Sequence, residues 1–294
     1  MPTNGGFPAM IGLLRPRQWT KNTLVLAGVV FADRLGEPGL VRAAMVALAA
    51  FCLASSALYI LNDLVDRKAD VLHPLKRLRP LASGAVRPRS AAPLVPVLAA
   101  AALSLALLLP SAFGFGLAAY LVLGVLYSLF LKRFVIIDVL VIAAGFVLRA
   151  AGGAWAVGVA ISPWLLTCTM LLALFLAMAK RRAELVSAPR FAARRLRAGA
   201  YSRELLDQMM AVVTSSTLMA YVLYAFSEQT RQKFPSGLMP LTVPFVLYGI
   251  FRYLFLMYRR GEGGEPEALV LRDRPLMAGI ALWAAAVLAA VYIR

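Results

Sequence analysis

Apolar residues run along this chain in long blocks, not in the alternation of half-buried strands. Nine blocks approach the roughly 20 residues an α-helix needs to cross about 30 Å of hydrocarbon. They span 19–35, 39–62, 91–110, 113–131, 134–158, 162–180, 206–228, 237–258 and 274–293. A segment apolar on every side belongs in lipid, where the helix satisfies each backbone polar group internally. The pattern therefore predicts an all-α, polytopic bundle of nine transmembrane helices. The first block is the weakest, since Lys21 and Asn22 interrupt it. Two stretches between blocks are long and charged, 63–90 and 181–205, whereas links such as 110–112 and 159–162 are short and uncharged. No repeat and no linker divides the chain, so residues 1–294 read as one transmembrane domain.

Charge orients the bundle. With the N-terminus inside, 24 of the 31 Lys and Arg residues fall on the inner side and five on the outer. Basic residues collect on the cytoplasmic side of membrane proteins. The expectation is N-terminus in, C-terminus out, with the long charged loops facing the cytoplasm. The net charge of +17 would suggest nucleic acid in a soluble chain. With 61% hydrophobic and 15% charged residues it reads as attraction to anionic headgroups. The N-terminal residues do not read as a cleaved signal peptide, having no basic stretch before a short apolar run.

Composition also narrows the chemistry. The two cysteines, Cys52 and Cys168, lie inside apolar blocks with no CxxC spacing, which disfavours a zinc site or disulfide framework. His73 is the only histidine, so a Ser-His-Asp or two-histidine mechanism has little to draw on. The acids are concentrated where the second block ends, in Asn62-Asp63-Leu64-Val65-Asp66-Arg67-Lys68-Ala69-Asp70. On a continuing helix Asn62, Asp66 and Asp70 are successive turns of one face, and Asp63 stands three before Asp66. Three carboxylates this close repel one another unless a cation lies among them. Hard oxygen donors suit Mg²⁺, which shares its coordination with substrate phosphates. The bland alternative is a solvated helix end whose acids pair with Arg67 and Lys68.

The next residues, His73-Pro74-Leu75-Lys76-Arg77-Leu78-Arg79-Pro80-Leu81-Ala82-Ser83-Gly84, weigh against that alternative. Two prolines break the helix and stiffen the loop. Lys76 and Arg79 can return over the acids as a point charge and a fork for phosphate oxygens. Ser83-Gly84 forms a turn whose N–H groups can face an anion. Attraction to anionic lipid would explain the bases but not the paired prolines beside an Asp cluster.

NDLVDRKAD followed by HPLKRLRPLASG resembles the first acidic motif and loop of the UbiA-type intramembrane prenyltransferase superfamily. YSLFLKR (Tyr127 to Arg133) and FVLRAAGGA (Phe146 to Ala154) are similar to it as well. The resemblance covers nearly the whole chain. It implies a nine-helix bundle that uses Mg²⁺ to bind a diphosphate at the cytoplasmic face. One departure is notable. Where superfamily members carry a second Asp-rich motif, after the sixth helix, this chain reads Leu176-Ala177-Met178-Ala179-Lys180-Arg181-Arg182-Ala183-Glu184. Bases in place of acids suit a donor with phosphate charge beyond one diphosphate, such as 5-phosphoribosyl diphosphate. LLRPRQWTKN and LRDRPLMAGIALW also resemble the decaprenyl-phosphate phosphoribosyltransferase branch. That branch moves phosphoribose to polyprenyl phosphate and releases diphosphate, for cell-wall arabinan synthesis.

The resemblance implies a metal held by Asn62, Asp63 and Asp66. Asp70 would bind the metal through water or hold the ribose hydroxyls. Lys76 and Arg79 would support the diphosphate, Lys180 and Arg181 the 5-phosphate, and Tyr127 and Lys132 would complete the pocket. Arg15, Arg17 and Lys21 flank Trp19 at the first membrane entry. They read equally as a clamp for the lipid phosphate and as positive-inside anchors beside an interfacial Trp. Asp138 and Arg149 lie in one block, about 16 Å apart at ~1.5 Å per residue, too far to pair. Buried membrane charges face a cavity or a partner, and Arg149 reads as bonding carbonyls near Gly152-Gly153. Two rivals remain. An aromatic prenyltransferase is disfavoured by the basic Lys180–Arg182 stretch. A lipid transporter or flippase would predict charged or broken segments at mid-membrane in both halves. A homo-oligomer is permitted by the resemblance.

Overall fold

A computed structural model describes residues 7–32, 34–73, 75–187, 201–261, 264 and 266–293, and among them every regular element is helical. Pro74, and Arg190, Arg194, Arg195 and Arg197 of the second long loop, lie outside the described residues. Two compact units divide the chain, Met1–Ile161 and Ser162–Arg294.

In the first unit, α1 (Phe7–Leu14) leads into an eleven-residue 3₁₀ segment, Pro16–Leu26, and a short α2 (Ala27–Phe31). Then come α3 (Pro38–Val71), α4 (Pro88–Ala91), α5 (Leu94–Ala106), α6 (Ser111–Leu129) and α7 (Ile137–Ala156). The second unit holds α8 (Pro163–Ser187), α9 (Arg203–Phe226), α10 (Glu228–Lys233), α11 (Val243–Arg260), α12 (Pro266–Arg272) and α13 (Arg274–Tyr292).

Eight helices among the described residues are long and apolar enough to cross a membrane. They match the second to ninth blocks. The first block differs: its residues form the 3₁₀ segment and α2 instead of one continuous α-helix. The cause is chemical. Thr20, Lys21, Asn22 and Thr23 stand together there, and Asn22 is fully buried with its amide engaged by side chains of α3 and α7.

The core of the first unit forms where α3 meets α6. The Phe51 ring meets Phe113 edge-on at 5.8 Å and Tyr120 at 5.3 Å between centroids, the geometry aromatic quadrupoles favour. Small residues on α3, Ala47, Ala50 and Ala54, let its neighbours approach. A second cluster of Leu13, Ile60, Leu81, Val86 and Ala91 ties α1 and the loop after α3 to the last turns of that helix. Leu107 and Phe115 are among many large apolar side chains on the outside. In water that surface would be an association liability; in lipid it is the proper exterior.

Candidate active site at the end of the third helix

The acid motif occupies nearly the last three turns of α3, which runs without a break to Val71. Nothing in Asn62–Asp70 breaks a helix, and Pro74 follows three residues after its end. The sequence-based placement of the acids on one helical face therefore holds. Asp63 and Asp70 are buried, and Asp66 is part-exposed.

Three cations from separate segments meet these acids. Arg79 Nη1 lies 3.1 Å from Asp63 Oδ1 and 2.7 Å from Asp70 Oδ2. Lys132, itself buried, places Nζ 2.6 Å from Asp66 Oδ1 and 3.1 Å from Asn62 Oδ1. Arg15 brings Nη2 to 2.5 Å from Asp63 Oδ1 and stacks its guanidinium over the Tyr59 ring. The loop after α3 sets Arg79 in place. Leu81 is fully buried against Leu13 and Ile60, Arg67 Nε donates to the Leu81 carbonyl at 3.1 Å, and Val86 N–H closes onto Pro80 O. Ser83 N–H is spent inside this turn on Arg79 O, so the expected use of that N–H on an anion is replaced by a role in shaping the loop.

Backbone strain sits beside two of the cations. Arg15 adopts φ +52, ψ +59, and Ile136, four residues beyond Lys132, adopts φ +70. Left-handed geometry costs a non-glycine residue about 1–2 kcal/mol, and such strain gathers where the surroundings fix a functional geometry.

The remaining sequence-predicted residues fall as follows. Lys76 adds its charge to the field at Asp70. Lys21 Nζ donates to Gln18 at 2.7 Å, and of the three bases near Trp19 it is Arg15 that reaches the acids. Tyr127 lies in the last turn of α6, part-buried. Lys180 and Arg181 belong to α8 of the second unit, where Arg181 Nη1 pairs with Glu184 at 2.8 Å. Next to them Arg182 is buried, bonded to Asp207 at 2.6 Å and stacked on Tyr258. Arg149 does bond a carbonyl, but that of Gly145 at 2.9 Å and not those near Gly152-Gly153.

The donors suit a hard cation. Both guanidinium contacts to Asp63 fall on Oδ1, the Lys132 contact to Asp66 falls on Oδ1, and the Arg79 contact to Asp70 falls on Oδ2. Among the described residues each carboxylate thus keeps a second oxygen to offer. Among the described residues no three His, Cys, Asp or Glu side chains converge as a metal cage. The open carboxylate oxygens are of the kind Mg²⁺ takes, which uses few protein ligands and completes its shell with water and substrate phosphate.

A family model described as "UbiA prenyltransferase family" matches residues 23–270. The chain belongs to that family. It is therefore a multi-pass membrane protein, as its apolar helices require. Among curated relatives, it is 31% identical to a decaprenyl-phosphate phosphoribosyltransferase of Mycolicibacterium smegmatis, covering 96% of this chain and 92% of that one. It is 32% identical to the enzyme of that name from Corynebacterium glutamicum, covering 97% and 87%. Among solved structures, a UbiA homolog from Archaeoglobus fulgidus bound to GPP and Mg²⁺ superposes with a TM-score of 0.72 at 18% identity, over 97% of this chain and 100% of that one. At that identity the likeness establishes the fold alone.

Proposed function

We propose that this UbiA-family protein is a Mg²⁺-dependent phosphoribosyltransferase. It moves 5-phosphoribose from 5-phosphoribosyl diphosphate to polyprenyl phosphate, decaprenyl phosphate by analogy with its relatives, and releases diphosphate. The observation that carries the reading is near-full-length identity of 31–32% to relatives bearing the phosphoribosyltransferase name. The bases Lys180, Arg181 and Arg182 stand where an acidic motif was expected, and they agree with a donor that carries an additional phosphate.

Asn62, Asp63 and Asp66 would hold the metal, which when bound supplies charge neutralisation to the diphosphate leaving group. The C1–O bond of the ribose breaks, the electron pair leaves with diphosphate, and a lipid phosphate oxygen forms the new bond to C1. A phosphate monoester is anionic near neutral pH, so no strong base is needed, in keeping with a single histidine. Arg79 and Lys132 lie against the acids and can turn onto diphosphate oxygens. Asp70 fixes Arg79 and remains a partner for the ribose hydroxyls, while Lys76 adds positive charge beside it. Lys180 and Arg181 are the proposed partners of the 5-phosphate, Lys21 is a proposed contact of the lipid phosphate, and Tyr127 is a proposed substrate contact beside Lys132.

The same reading has one transmembrane domain of nine spans, with the 3₁₀ segment and α2 forming the first. The site faces the cytoplasm of a bacterial inner membrane, and the product feeds cell-wall arabinan. The decisive experiment is transfer by purified protein with Mg²⁺, labelled phosphoribosyl diphosphate and polyprenyl phosphate. Label should enter the lipid phase, and EDTA should abolish the transfer. Turnover of a polyprenyl diphosphate with an aromatic acceptor instead would overturn the choice of donor.

A further inference from the structure

Deep in the first unit lies a polar node that the reaction does not use directly. Arg149 on α7 is buried and, among the described residues, has no carboxylate among its contacts. Its Nε donates to Asn22 Oδ1 at 2.8 Å, its Nη1 to Gly145 O at 2.9 Å and its Nη2 to the Tyr120 hydroxyl at 2.6 Å. The guanidinium also stacks on the Tyr120 and Phe146 rings. Asn22, fully buried, passes the connection on: its Nδ2 donates to Ser55 Oγ at 3.1 Å and to Cys52 Sγ at 3.3 Å on α3. A buried cation without an acid is costly in a membrane, so a purpose other than filling space is expected.

Its effect is to fix the 3₁₀ segment. Trp19 Nε1 donates to Ser56 Oγ, and Ser56 Oγ also lies 2.9 Å from the Leu14 carbonyl, one residue before Arg15. On the α7 side the backbones touch: a Cβ at Gly153 would stand 1.9 Å from Val25 O, so only glycine admits the segment. Arg15 heads this segment in its strained conformation and reaches Asp63. Ser55 stands two turns below Asp63 on α3, about 12 Å away at ~1.5 Å per residue, so Arg149 does not itself touch the acid site.

We propose that Arg149, acting through Asn22 and the 3₁₀ segment, is a positioning residue that holds Arg15 against the acid cluster, and that Arg15 thereby binds the diphosphate of the donor. This rests on the proposed function for the identity of the donor, but not for the diphosphate itself.

The test is a double-mutant cycle on the full chain in detergent, with R15Q, R149K and the pair. It is read as KM for phosphoribosyl diphosphate, kcat, and calorimetric binding of inorganic diphosphate with Mg²⁺. R149K keeps the charge but lacks the fork that holds Asn22, Gly145 and Tyr120 together. Each single variant should raise KM and weaken diphosphate binding about tenfold with kcat little changed. The double variant should be no worse than R15Q alone, because both remove one interaction. Y120F removes a bond of Arg149 that does not lead to the segment; it should lower thermal stability and leave KM at the wild-type value. Should R149K fail to fold, N22A takes its place in the cycle. Multiplying losses in the double variant, or a KM change in Y120F as large as in R149K, would show a merely structural node and overturn the proposal. Diphosphate binding without phosphoribosyl transfer by the wild type would sink the donor assignment while leaving the cycle to be judged on binding. Wild-type protein that binds no diphosphate would overturn both.

Discussion

Two aspartates in this chain look alike by burial and differ in how their oxygens are used. Asp63, in the first unit, is 2% exposed, and Asp273, in the second, 7%. Each is held by arginine. Asp273 is closed on both oxygens. Arg252 approaches in a two-pronged fork, Nε to Oδ1 at 3.1 Å and Nη2 to Oδ2 at 2.8 Å, and Oδ1 also accepts the Leu276 N–H as the N-cap of α13. Asp63 is held by two arginines on the same oxygen, and Asp66 and Asp70 nearby are likewise contacted on one oxygen each. A carboxylate with all its acceptor capacity satisfied serves stability. One of a cluster that keeps acceptor capacity in reserve is what the proposed metal site requires. Burial alone does not distinguish these two acids; the count of satisfied oxygens does.

Removing the open acids should produce the largest effect. Asp66→Ala and Asp63→Asn are expected to lower transfer by on the order of a hundredfold or more, the scale of losing a group that stabilises charge in the transition state. Thermal stability in detergent should change little for Asp66, whose only described protein cation is Lys132. A variant that unfolds but transfers at the wild-type rate while folded would reverse the comparison and make Asp66 structural.

Asp273→Ala should do the opposite. It deletes an N-cap, worth about 1 kcal/mol, and leaves the Arg252 guanidinium without its fork, so a clear loss of stability is expected. Chemical denaturation should show that loss, with kcat retained in the folded fraction. A hundredfold fall in kcat at unchanged stability would place Asp273 in the reaction.

How much of this was legible in the residues depends on the range of the interaction. Eight of the nine apolar blocks became helices of membrane-spanning length, because an apolar run in lipid has only one way to satisfy its backbone. The acid face of α3 was readable for the same reason of local spacing, as was Arg79 returning in its proline-bounded loop. The 3₁₀ segment was not: Asn22 looked like a flaw in a helix, and its partners Ser55 and Arg149 lie 33 and 127 residues away. Arg15 could be named as a base near the membrane entry, but no sequence spacing links it to Asp63, 48 residues on. Arg149 was rightly expected to bond a carbonyl, yet Gly145, one turn before it, is the nearer acceptor on its own helix. Lys180 and Arg181 were proposed from a departure in a motif. That is a statement about chemistry and not about placement, so the 5-phosphate role stays a proposal.

The smallest effect tests the closed side of the comparison by pH. Asp273 lies outside the membrane-spanning helices. The hydrogen bond from Arg252 holds its carboxyl below the usual carboxylate range, with the Leu276 N–H and the positive charges of Arg252 and Arg260 acting in the same direction against its burial. A group whose pKa is depressed by folding contributes stability above its unfolded value, near 3.9, and loses it as pH falls through the folded value. As pH falls below about 5 and on through the folded value, the melting temperature of the wild type should therefore fall more steeply than that of Asp273→Asn. Asn keeps the cap to Leu276 and one bond to Arg252 but has no charge to lose, so the difference between the two curves isolates the ionisation of this one carboxyl. The two curves should converge at the acid end, where the wild-type carboxyl is protonated as well. Parallel curves would mean that Arg252 does not hold a charged Asp273 in the folded protein, and that the fork is no more than a neutral contact.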